Sequence, residues 1–149
     1  MTKTSYENPW IFNDVPFTSD DIKKYEGFVY IITNTLTSEQ YIGRKYFSKI
    51  RKVKGKARRV RSESDWKSYY SSSVKLKEMV KELGVERFER RIMSLHKTRG
   101  DCNYEEVKQQ FAYNVLEEDG WLNDNINGKW KRVVTHIKEG RTYGRLRVV

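Results

Sequence analysis

Two β-rich segments joined by a short polar stretch constrain this chain more than any other feature. GFVYIITN (Gly27 to Asn34) is dense in β-branched and aromatic residues and ends in Asn. After TLTSEQ, the pattern resumes as Gln40-Tyr41-Ile42-Gly43. Such residues suit a pleated, half-buried surface, and turn formers between two such runs bend them into a hairpin. Further on, Leu76, Met79, Val80 and Leu83 recur at i, i+3, i+4 and i+7, which predicts an amphipathic helix starting at Ser73 and closed by Gly84. VERFERRIMSLH (Val85 to His96) reads as a third strand, and Thr98 to Cys102 as a polar turn. Asn103 is a good N-cap for a second helix from Tyr104 to about Glu118, with an apolar stripe of Tyr104, Val107, Phe111 and Val115. Pro9 and Pro16, beside Trp10 and Phe17, make the first residues an extended arm pinned by aromatics. Asn127-Gly128 reads as a plain turn, and the tail from Trp130 as a hairpin around Lys138-Glu139-Gly140.

A length of 149 residues suits one domain. We divide it into an N-terminal arm (1–26), a core (27–127) and a basic C-terminal extension (128–149). The formal net charge is +10, from 30 Lys and Arg against 20 Asp and Glu. Residues 44 to 61, RKYFSKIRKVKGKARRVR, hold ten basic residues and no acidic ones. The remaining chain balances, so the whole surplus fits in this one segment. It shows no helical period and reads as an exposed, partly extended insertion. A block of this kind favours a polyanion partner, nucleic acid first and an anionic membrane second. A membrane-surface role requires an amphipathic basic helix, which the block lacks. No run of 18 apolar residues is present, and MTKTSYENPW lacks a signal's apolar centre. The lone Cys102 suits a reducing cytosol, and with only His96 and His136 beside it no Cys- or His-based metal cluster is expected.

Tyr30 and Tyr41 lie on the paired strands with ten residues between them, within Phe28-Val29-Tyr30 and Tyr41-Ile42-Gly43. This pair resembles the two signature elements of the GIY-YIG nucleases. The first is degenerate, with Phe28-Val29 in place of Gly-Ile and Gly27 one position earlier; the second is intact. Tyr41-Ile42-Gly43-Arg44-Lys45 and the run from Ser64-Asp65-Trp66 through Tyr69-Tyr70-Ser71-Ser72 to Leu76 are similar to the phage Seg-type (SegE-like) homing endonucleases. Tyr104 to Phe111, followed by Val115-Leu116 and Asn125-Ile126, resembles the family's helix with the metal-binding glutamate. The resemblance implies an α+β fold, a small three-stranded antiparallel sheet flanked by helices. It also implies a divalent-metal-dependent DNA endonuclease using Mg2+ or Mn2+, acting on double-stranded DNA in the cytoplasm of a phage-infected bacterial host, with homing endonuclease as the finer expectation.

Phosphodiester hydrolysis needs an activated water, neutralised phosphate charge and help for the leaving 3′ oxygen. On the family's pattern Tyr30 is the general base or water-positioner, and Tyr41 the second active-site tyrosine. A free tyrosine pKa of about 10 must fall for the base role. A guanidinium fits phosphate geometry. Arg51, eight residues after Gly43, is the first choice for it, and Arg44 the rival. Tyr70 or Ser71 falls where some members carry histidine, and Tyr70 is kept as the candidate. Glu106 is the expected metal ligand, with Glu105 the alternative. A register anchored on Phe111 would place Gln109 there instead and predict a weak or dead enzyme. Lys45, Lys49, Lys52, Lys54, Lys56, Arg58, Arg59 and Arg61 are expected to contact phosphates, in a salt-dependent way. Tyr46 and Phe47 open the basic block, but no further aromatics interleave to suggest base stacking. Only about 20 residues follow Asn127, too few for a usual targeting module. Specificity is therefore expected from the insertion, the tail, a homo-oligomer or a targeting partner. The competing reading is a non-catalytic nucleic-acid-binding protein that keeps the fold.

Overall fold

The computed structural model describes residues 6–52, 54–55 and 58–132, with Arg51 and Lys52 described in their main chain only. The expected tail hairpin and Lys56 lie outside the described residues.

The predicted hairpin is the centre of the fold. We label the strands in chain order: β1 (Ile11–Phe12), β2 (Val15–Pro16), β3 (Gly27–Asn34), β4 (Gln40–Tyr46), β5 (Ser48–Lys52), β6 (Arg59–Glu63), β7 (Phe88–His96), β8 (Asn125–Ile126) and β9 (Trp130–Lys131). The helices are α1 (Val74–Leu83) and α2 (Arg99–Ala112). The main sheet runs β2-β1-β7-β3-β4. Its antiparallel trio β7-β3-β4 matches the three expected strands, and β1 and β2 lengthen it to five. The sheet is mixed because β1 runs parallel to β7, at Ile11↔Arg91. The arm is pinned by its aromatics as expected, Trp10 and Phe17 inserting into the core, and its backbone also joins the sheet edge.

β3 is buried on both faces, and its alternation sorts two cores. Phe28, Tyr30 and Ile32 join Trp10, Phe17, Trp66 and Leu76 on one side. Val29 joins Ile42, Cys102, Val115 and Ile126 on the other, beneath α2. Arg90 of β7 is 1% exposed. Its guanidinium donates to the carbonyls of Glu7, Asn8, Lys67 and Tyr69 and lies over the rings of Trp10 and Tyr70. Four carbonyl acceptors satisfy a buried cation that would otherwise be costly.

α1 forms where the periodicity predicts. Ser73 caps it by accepting the Leu76 N–H, and Gly84 ends it at φ +95°. α2 begins earlier than expected. The Thr98 side chain accepts the Asp101 N–H, so the stretch read as a polar turn is helical and Thr98 replaces Asn103 as the cap. The expected apolar stripe is also corrected. Tyr104 and Phe111 are exposed, while Cys102, Glu106 and Gln110, spaced i, i+4, i+8, turn toward the sheet. The basic block is exposed and extended as expected, and past Phe47 its strands pair as the β5–β6 ribbon.

Candidate active site

The edge of β4 sets the site. Its exposed backbone is covered by the chain after α2: Gln40 donates to the Gly120 carbonyl, and the Leu122 N–H donates to that of Gln40. Asn123 then mimics a strand partner, accepting the Ile42 N–H and donating to the Ile42 carbonyl at 2.9 Å. Gln110 donates to the same carbonyl at 2.8 Å, which fixes α2 against the edge. Covering a sheet edge in this way also blocks intermolecular pairing.

Above this edge lies a groove of about 690 Å³ lined by Tyr41, Arg44, Glu106, Gln110, Asp124 and residues at the start of α1. The Arg44 Nε lies 3.2 Å from a Glu106 carboxylate oxygen. Burial pushes the Glu106 carboxyl above its ordinary value; Arg44 and the Gln110 amide pull the other way and do not cancel it. Gln110 is 4% exposed, and its Oε1 has no hydrogen-bond partner. Its amide nitrogen is bonded to the Ile42 carbonyl and to Glu106, leaving that acceptor in the groove wall.

Tyrosines stack behind the groove. The Tyr30 and Tyr41 rings are 6.4 Å apart and nearly parallel, and Tyr69 meets Tyr30 edge-on. Tyr30 lies opposite Gly43 in the register. A Cβ on Gly43 would sit 2.5 Å from the Tyr30 hydroxyl, so only glycine fits beneath this ring. Beside Tyr30 the β3–β7 register shifts, with Met93 the extra residue on β7. Tyr30 is 1% exposed and its hydroxyl is hydrogen-bonded to Tyr69. Burial, with the nearby Tyr41, pushes its pKa well above 10.0, opposite to the direction a general base requires. Tyr41 is raised too, chiefly by burial, although a Ser72 hydrogen bond opposes the shift.

The structure gathers Tyr30, Tyr41, Arg44 and Glu106 around one groove. Neither Glu105 nor Gln109 lines it; they bond each other at 2.6 Å. Tyr70 is turned to the core, accepting from Asn8 and covering Arg90, and Tyr69 joins the tyrosine cluster in its place. Arg51 lies on β5 opposite Val60. Lys45 pairs with Asp65 at 2.6 Å and sits 3.9 Å over the Tyr69 ring. Arg61 is engaged with Glu26. Lys49, Lys54, Arg58 and Arg59 are exposed along the ribbon. Tyr69, Ser72 and Asp124 escaped the sequence reading. Tyr69 and Tyr70 are adjacent and of one type, so nothing in sequence chooses between them. Gln110 lies one turn on from Glu106, and the shared face that this i+4 spacing implies is the one it takes, its amide donating to the Glu106 carboxylate.

A mixed five-stranded sheet thus carries a tyrosine pair over a strand glycine, beside a groove lined by Arg44 and by the carboxylates of Glu78, Glu106 and Asp124. Residues 10–126 match the family model described as "Putative endonuclease segE, GIY-YIG domain". The chain belongs to this GIY-YIG endonuclease family. No curated protein and no solved structure matched it.

Proposed function

We propose that the groove is the hydrolytic centre of a divalent-metal-dependent DNA endonuclease of the phage homing type, working in the cytoplasm of an infected bacterium. The observation that carries this reading is the Arg44–Glu106 pair in one groove with Tyr41. The donor set fits a hydrated ion. Among the described residues no group of three or more His, Cys, Asp or Glu could hold a metal. Mg2+ commonly keeps several waters and binds through one or two carboxylates plus substrate phosphate. Glu106 would hold Mg2+ or Mn2+, with the unpartnered Gln110 Oε1 as an acceptor beside it, and the ion would supply charge neutralisation at the phosphate. Arg44 donates to the non-bridging oxygens of the scissile phosphate, leaving Glu106 to do so. Arg44 rather than Arg51 takes this role because its guanidinium already reaches the groove carboxylate. The Tyr41 hydroxyl orients the attacking water. Tyr30, buried and protonated at neutral pH, holds Tyr41 and Tyr69 in place. The water oxygen forms the new bond to phosphorus and gives up its proton to solvent, the bond from phosphorus to the 3′ oxygen breaks, and that oxygen takes a proton from solvent to leave as a hydroxyl.

The test is supercoiled plasmid with the purified chain. Cleavage is expected with Mg2+ or Mn2+, lost in EDTA and in Glu106→Ala, with DNA binding retained. A parent that binds DNA but never cuts it under these conditions refutes the nuclease reading.

A further inference from the structure

The β5–β6 ribbon carries chemistry that the hydrolytic groove does not use. Residues 48–63 hold eight basic side chains and one acid, Glu63. That acid is already bonded to the Trp66 indole at the ribbon's base. Five residue pairs join the strands. Lys49, Ile50 and every residue from Arg58 to Glu63 are exposed, so among the described residues no core covers either face. Ile50 and Val60 lie on opposite faces and are 38% and 39% exposed.

A two-stranded ribbon with no core beneath it is marginal in water, yet this one is fixed at its base. Arg61 donates to the Ser48 hydroxyl at 2.6 Å and pairs with Glu26 at 3.2 Å. Arg99 donates to the Ser48 carbonyl at 2.8 Å and approaches the same Glu26 at 3.5 Å. Phe47, 4% exposed, roots the ribbon in the aromatic core. The clamp also leads back to the groove. The Arg99 guanidinium lies 4.1 Å from the Tyr46 ring and that of Arg44 lies 5.0 Å from it. Arg44, Tyr46, Arg99 and Arg61 thus form one cationic track from Glu106 to the ribbon.

We propose that the ribbon is a major-groove arm, which enters the duplex to one side of the scissile phosphate while the arginine track follows the backbone between them. The proposal rests on the nuclease reading. The major groove of B-DNA, about 12 Å wide, admits a two-stranded β-ribbon as it stands, whereas the minor groove, about 6 Å wide, takes one only when the duplex is deformed. Five residues of strand extend about 17 Å, close to half a turn of duplex. Lys and Arg match the guanine O6 and N7 acceptors there, and exposed aliphatic side chains match thymine methyls. A-form RNA presents a deep, narrow major groove that excludes the arm.

The variant Lys49→Gln/Lys54→Gln/Arg58→Gln/Arg59→Gln changes exposed positions only, and its melting curve checks that it is folded. A 30-base-pair duplex spanning a site cut by the parent is partially methylated with dimethyl sulfate, bound in EDTA and partitioned. The expected result is exclusion of N7-methylguanine from the parent's bound fraction, on one side of the cut and within about five base pairs. That exclusion should vanish in the variant, and its slope of log affinity against log salt should fall by up to about 3.6, or 0.9 for each phosphate no longer neutralised. Duplex RNA should compete weakly. Unchanged methylation interference in the variant overturns the proposal. So does interference confined to adenine N3, or a reduced slope with no base interference, which would mean that the ribbon touches phosphates alone. A parent that cuts but fails these tests removes the arm only; a parent that never cuts or binds duplex DNA removes the nuclease reading as well.

Discussion

Gly43→Ala tests the packing on which the site depends. The new methyl would lie 2.5 Å from the Tyr30 hydroxyl oxygen, 2.7 Å from its Cζ and 2.9 Å from the Tyr41 Cε1. Tyr30 has little freedom to retreat. Trp10 lies 5.0 Å away between ring centroids, Phe28 6.0 Å, and Tyr69 closes the far side at 6.2 Å. Overpacking of a filled core costs about 1–3 kcal/mol. For a chain of this size that lowers Tm by about 2–12 °C, at 2–4 °C per kcal/mol. Tyr30→Phe removes the closest atom, so melts of the parent, both single variants and the double variant form a cycle. The double variant should lose less than the summed singles, by at least about 0.5 kcal/mol. Loss of the Tyr30–Tyr69 hydrogen bond occurs in both backgrounds and cancels. A Gly43→Ala chain that melts within about 1 °C of the parent, or a cycle with no coupling, would refute the claim that glycine is required beneath Tyr30.

Two further outcomes follow from buried titratable groups. Burial raises the Glu106 carboxyl above its ordinary 4.5, with Arg44 and Gln110 opposing. The folded chain therefore binds that proton more tightly than the unfolded chain. The stabilisation is complete below 4.5 and lost as pH rises through the folded value. In EDTA, Glu106→Gln should melt higher than the parent at neutral pH, with a gap that closes in acid; a gap that stays constant from acid to neutral pH would contradict this. Burial pushes the Cys102 thiol up to about 12 from 9.0, leaving roughly a thousandfold less thiolate. Iodoacetamide should label the folded chain correspondingly more slowly than the unfolded chain in guanidinium. Rapid labelling of the folded chain would mean that α2 does not pack Cys102 against the sheet.

The elements with strong local patterns were legible. β3 runs from Gly27 to Asn34 and α1 ends before Gly84, as composition and periodicity predict. α2 was misread because its sheet-facing stripe is Cys102, Glu106 and Gln110, while Tyr104 and Phe111 are left to solvent. A hydrophobic-period argument selects the wrong face when a helix turns polar groups inward. The ribbon was hidden for a related reason: with both faces exposed, its strands carry no in–out alternation to read. Among the site residues, the family resemblance pointed to Tyr30, Tyr41 and Glu106 and put Arg51 ahead of Arg44; Tyr41, Arg44 and Glu106 line the groove, with Tyr30 packed behind it. Tyr69 required the third dimension. Ser71 takes φ +80°, and this turn separates Tyr70 in the core from Ser72 at the groove.

The buried guanidinium of Arg90 bears on where this domain physically starts. The family match opens at Trp10, yet two of the carbonyls that Arg90 binds belong to Glu7 and Asn8. The Asn8 side chain donates to Tyr70 and to the carbonyls of Val85 and Phe88, and Tyr6 reaches the Phe17 carbonyl. A fragment trimmed to the shared family segment would keep the cation and lose two of the four carbonyls that solvate it. The indispensable length of such a domain is thus set by the oxygens its buried charge must collect, upstream of where similarity begins.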